Sequence, residues 1–87
     1  MQTHKLDDLI GRLSLEGYKV LLKQYECSLG EIDLIAKKNG KLFFIMVDQP
    51  ITKTVEKVGN YYLKRYGIGA VEHEFLAIKD NAKQEGL

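Results

Sequence analysis

Apolar residues along the chain recur first at helical spacing, then at strand spacing, then at helical spacing again. Leu6, Leu9, Ile10 and Leu13 fall at i, i+3, i+4 and i+7, which gathers them into one stripe of a helix over residues 4–16. Thr3 is the expected N-cap, Asp7 and Asp8 lie toward the positive end of the helix dipole, and Gly17 supplies a left-handed stop. Gly11 costs that helix on the order of 1 kcal/mol relative to alanine, a loss often tolerated where packing is close. Residues 18–26, 31–38 and 41–48 are rich in Val, Ile, Leu, Phe and Tyr and read as three strands, with a turn at 27–30. Asn39-Gly40 joins the second and third, the preferred pair for a two-residue type I′ hairpin.

Pro50 ends the third strand and pre-sets φ for a helix start. Beyond it Ile51, Val55, Val58, Tyr62 and Tyr66 repeat at helical spacing, with Lys53, Glu56, Lys57, Asn60 and Lys64 on the opposite side. Gly67 and Gly69 break this second helix, residues 70–79 form a fourth strand, and 80–87 read as a polar tail after a single domain over 1–79. The expected fold is α/β in the order α-β-β-β-α-β, a mixed sheet flanked by two helices. Its hairpin over 31–48 is antiparallel, and the last strand is free to run parallel to a neighbour.

The 87 residues, 45% hydrophobic and 29% charged, belong to one ordinary globular domain. The longest apolar run, from Leu42 to Val47, falls far short of the roughly 20 residues that span a bilayer. With no signal-peptide pattern, the expectation is a cytoplasmic protein without a membrane partner. Cys27 is the single cysteine, has no zinc-binding companion, and reads as a small buried residue. Thirteen basic residues against twelve acidic ones, a formal charge of +1, give no global sign of nucleic-acid binding, though a local basic face remains open. A core this small also favours a homo-oligomer.

The wording of the strands carries more. Gly17-Tyr18-Lys19-Val20-Leu21, Gly30-Glu31-Ile32-Asp33-Leu34-Ile35-Ala36 and Gly40-Lys41-Leu42-Phe43-Phe44-Ile45 closely resemble the YraN-type (UPF0102) family of nuclease-like proteins. The resemblance is close over 13–47 and weaker through the second helix to 70–78. It implies a restriction-endonuclease-like core of the PD-(D/E)xK superfamily. In such a site an aspartate on the second strand and an acid-x-lysine on the third hold Mg²⁺ through oxygen and activate water on a phosphodiester. The acid and the lysine are two residues apart so that both point one way.

Asp33 stands at the family's metal-binding aspartate, but the acid-x-lysine positions hold Met46 and Asp48. A thioether is a poor Mg²⁺ ligand, and a carboxylate cannot supply a lysine's charge. The family's last-strand arginine and aspartate fall on Glu72 and Glu74, and its helix acid near Leu6, beside Asp7 and Asp8. Gln49-Pro50 leads straight into the second helix. The implied reading is a degenerate, catalytically inactive nuclease-like domain that retains a binding role toward nucleic acid or a protein partner, with no cofactor. An alternative is an active Mg²⁺-dependent DNA endonuclease with Asp33, Asp48 and Glu31 on the metal and Lys53 or Lys57 replacing the lost lysine. A third is a structural or oligomerisation protein with the old site repacked as core, in which Met46 is buried.

Plainer roles compete for each residue. Asp33 reads equally as a strand-end acid bonded to backbone, Asp48 as a helix cap or strand end, and Met46 as core filler. Lys53, Lys57, Lys64 and Arg65, interleaved with Tyr61, Tyr62 and Tyr66, suit a nucleic-acid surface, a dimer surface or a solvated helix face. His4 and His73 have no metal-site spacing, and Glu72 and Glu74 read as the outward face of the last strand.

Overall fold

The computed structural model describes residues 2–79, with side chains from residue 6 onward. Its elements are α1 (Gln2–Leu15), β1 (Lys19–Cys27), β2 (Gly30–Lys38), β3 (Lys41–Val47), α2 (Lys53–Arg65) and β4 (His73–Ile78). The order is the expected one.

Both helices end on the same glycine device. Gly17 at φ +100° follows α1, with Tyr18 N–H bonded to Leu13 O at 3.0 Å and Gly17 N–H to Ser14 O at 3.1 Å. Gly67 at φ +66° follows α2, with Ile68 N–H to Leu63 O at 2.9 Å and Gly67 N–H to Lys64 O at 3.2 Å. These are Schellman motifs, which satisfy carbonyls that the helix leaves open and turn the chain sharply back. The helix starts differ from expectation. α1 is already under way at Thr3, so that residue is not its cap, and Asp7 lies past the first turn, where it meets Lys23 of β1 at 3.0 Å. α2 begins three residues after Pro50, and Thr52 is its N-cap, the hydroxyl accepting from Val55 N–H at 3.2 Å. Asp48, read as a possible cap, stands beyond the end of β3 instead.

The strands lie in one sheet in the order β1-β2-β3-β4. β1 with β2 and β2 with β3 are antiparallel, and β4 is parallel to β3, Phe44 opposite Phe75. Asn39 (φ +54°) and Gly40 (φ +77°) form the tight turn between Lys38 and Lys41, as the type I′ reading requires. β4 begins three residues later than residue 70 because 68–71 form a turn closed by Val71 N–H on Ile68 O.

The sheet separates two hydrophobic layers. On one side α1 sets Leu9 and Leu13 against Leu34, Ala36 and Ile45. On the other α2 sets Val55, Val58, Tyr62 and Leu63 against Ile32, Ile35, Leu42, Phe44 and Met46. Fully burying side chains such as Phe44 or Ile35 stabilises by about 1.5–3 kcal/mol each. Close approach of α2 depends on Gly59: a Cβ there would sit 2.6 Å from the Phe75 ring and 3.3 Å from that of Phe44. Gly11 of α1, by contrast, has nothing within 4 Å. Cys27 is half-buried rather than buried, and Tyr66 is exposed.

Ile32 packs beneath α2 while Leu34 packs beneath α1, so the two-residue alternation of β2 breaks at Asp33. Gln24 lies opposite this point, between the pairs Lys23–Leu34 and Tyr25–Ile32, and takes φ +56°. The distortion in the two strands is shared.

Candidate functional site

Asp33 sits where β2 and β3 part, for their pairing ends at Leu34–Ile45. Its half-buried carboxylate reaches across the opening, and Oδ2 accepts the backbone N–H of Val47 at 2.7 Å and the side-chain N–H of Gln49 at 3.3 Å. The acid thus stands in for the missing rung of the ladder, which is the plainer of its two sequence readings. A charge-assisted bond of this length is among the stronger kind.

The other carboxylates expected around a metal form no cluster of three with it among the described residues. Met46 is only 3% exposed and lies in the layer under α2 beside Phe44, Val55 and Val58. Asp48 is exposed at φ +61° and its own N–H bonds Ile78 O at 2.8 Å, which ties the ends of β3 and β4 together. Glu31 is exposed and faces Glu26 across β1. A divalent magnesium ion needs near-octahedral oxygen ligands, usually with one or two carboxylates converging. Here Asp33 is engaged by backbone, and no group of three or more His, Cys, Asp or Glu forms a candidate cluster among the described residues. The donor set does not fit the centre that the resemblance implies. Lys53 and Lys57, the candidate replacement lysines, lie exposed on α2.

The cationic and aromatic residues of α2 divide by face. Tyr62 is buried edge-on to Tyr25 at 5.2 Å and to Phe44 at 5.9 Å, and burial raises the pKa of both tyrosines above the usual value. Tyr66 is 57% exposed, tilted against Tyr62 at 4.9 Å, with the Arg65 guanidinium 6.0 Å from its ring centroid. Lys53, Lys57, Asn60, Tyr61 and Lys64 share the outer side, where Lys57, Asn60, Tyr61 and Lys64 line an open concavity of 530 Å³ together with Leu29, Leu63, Gly69 and His73. Leu29, Asn60 and His73 join the lysines there without belonging to the basic and aromatic pattern of the helix. Asn60 was legible, since it stands at i+3 from Lys57. Leu29 comes from the β1–β2 turn and His73 from the start of β4, and neither carries a local signal. Glu74 is outward as expected and bonds Lys41 at 2.8 Å, which raises the lysine's pKa, and Glu72 is exposed beside it. His73 Nδ1 lies 3.3 Å from Val71 O, to which it donates when that nitrogen carries the proton, while the His4 side chain lies outside the described residues. No described helix is long and apolar enough to cross a membrane.

Fold and site together define a small mixed α/β domain, a four-stranded sheet between two helices, in which Asp33 accepts the Val47 N–H and Met46 lies in the core. The chain belongs to the Uncharacterised protein family UPF0102, whose model it matches over residues 10–59. It is 51% identical over 35 residues to a UPF0102 protein of Lachnoclostridium phytofermentans, covering 40% of this chain and 30% of that one. Longer matches are to UPF0102 proteins of Roseiflexus castenholzii, 33% identical over 72 residues (78% of this chain, 56% of the relative), and Fusobacterium nucleatum, 32% over 73 residues (67% and 61%). The chain therefore spans less than two thirds of the length of these curated relatives.

Proposed function

We propose that this chain is a non-hydrolytic binding domain built on a restriction-endonuclease-like core, whose ancestral metal position has become part of the scaffold. The order α-β-β-β-α-β with β4 parallel to β3 is compatible with that core. One observation carries the reading: Met46 fills the layer under α2 at the position of the expected acid, while Asp33 is spent on the Val47 N–H. Restoring a catalytic carboxylate at 46 would put a charge in the core, which is strongly unfavourable without a partner.

Buried Met46 also favours the structural reading, in which the old site is simply repacked. The two part on binding. A nuclease assay with Mg²⁺ and Mn²⁺ on duplex, single-stranded and branched DNA, run beside a salt-dependent binding titration, tests both. No cleavage with binding that weakens steeply as salt rises supports a binding domain. Neither cleavage nor association with nucleic acid or protein leaves the scaffold reading. Cleavage that disappears in Asp33→Ala overturns the proposal in favour of an active enzyme with rearranged ligands.

A further inference from the structure

The start of the outer crest of α2 is built against the local interests of the helix, although Glu56 in the first turn and Lys64 in the last suit the dipole. Lys53 occupies its first position, where the positive end of the dipole disfavours a cation. Lys57 follows one turn later, so two like charges sit at i and i+4, an arrangement that destabilises an isolated helix. Glu56 is the only acid in the helix, and none of Lys53, Lys57 and Lys64 forms an ion pair among the described residues. Between the lysines, Tyr61 is 38% exposed and Asn60 exposed, and beside them Leu29 is 47% exposed at the β1–β2 turn. Local rules broken without a compensating contact are a mark of function.

From this face, and resting on the binding role proposed above, we infer that the crest holds single-stranded nucleic acid. Lys53, Lys57 and Lys64 meet successive phosphates, and Tyr61 with Leu29 offers the apolar surface on which an unpaired base lies. Asn60 supplies amide donors and an acceptor to base or sugar. From Lys53 to Arg65 the helix is about 18 Å long at its rise of roughly 1.5 Å per residue, room for a strand of about four nucleotides. The ring and the leucine decide between single strand and duplex. A duplex offers phosphates but keeps its base faces stacked, and Tyr61 would have nothing to cover. An acidic protein would answer the lysines equally but would not require a flat ring at 61.

The test is fluorescence anisotropy with the full chain and a labelled oligothymidylate of about a dozen nucleotides, against a duplex of equal length. The single strand should bind more tightly. Its log affinity should fall with log salt at a slope of about −2, three phosphates at about −0.7 each. Lys57→Ala with Lys64→Ala should cut that slope to about −0.7 and leave the circular dichroism unchanged. Tyr61→Ser should weaken binding about five- to a hundredfold, whereas Tyr61→Phe should retain it. Equal or tighter duplex binding, with Tyr61→Ser silent, overturns the inference, as does failure of the folded wild type to bind either form at about 50 mM salt. Cleavage of the strand would instead overturn the non-hydrolytic reading, and the crest variants would still report whether this face holds it.

Discussion

Asp33 and Val47 are joined across the point where β2 and β3 separate, carboxylate to backbone N–H at 2.7 Å. The same oxygen closes the gap between the two strands. Removing it leaves a half-buried N–H without its partner, and bonds of this charged type contribute about 1.5–3 kcal/mol. Asp33→Ala should therefore lower unfolding free energy by that amount in urea melts, with Asp33→Asn recovering part. A variant as stable as the wild type would remove the structural role.

Met46 offers a contrast between chemistry and volume. Met46→Leu conserves size and should cost less than about 1.5 kcal/mol. Met46→Glu places a carboxylate among Phe44, Val55 and Val58 and should cost more than about 3 kcal/mol or abolish folding at neutral pH. Thermal melts of the two variants check this directly. A well-folded Met46→Glu protein would reopen the catalytic reading.

Two glycines of the helices should respond in opposite directions. Gly11 faces open space, so Gly11→Ala should stabilise by about 1 kcal/mol. Gly59→Ala drives a methyl into the Phe75 ring at 2.6 Å and should destabilise by about 1–3 kcal/mol. Phe75→Leu added to Gly59→Ala should restore part of the loss, a positive coupling read from a double-mutant cycle.

Burial raises the pKa of Tyr62 and Tyr25 from the ordinary value of 10.0. The folded state then keeps these protons in a pH range where the unfolded chain has released them. Their contribution is full below the unfolded value of about 10 and is lost as pH rises through the folded values. The melting temperature should fall in that alkaline window, and Tyr62→Phe should shallow the fall. A decline of equal steepness in the variant would assign it to other groups.

Much of this architecture is legible in the chain. The Leu6-to-Leu13 stripe, the Asn39-Gly40 turn and the Val55, Val58, Tyr62 repeat each specify an element through local geometry alone. Thr52, with its hydroxyl three residues before Val55, is a stronger start signal than Pro50. Gly59 falls on the apolar stripe of α2, a pattern that points to close packing more clearly than exposed Gly11 does. Asp33 was readable as a candidate acid but its partner was not, because the Val47 N–H is brought to it only by the parting of two strands. The concavity over α2 likewise unites residues from turns far apart in sequence, and no spacing rule reaches that far.

The sheet order repeats the chain order, with only β4 joined through an intervening helix. Each of the first three strands finds its neighbour through a short connection, so the entropy of loop closure is small until the last step. The N-terminal helix and three strands should form early as a unit, and β4 should dock last and let go first. Amides of 73–78 would then exchange with solvent ahead of those in β2, one of the two inner strands that both helix layers clamp.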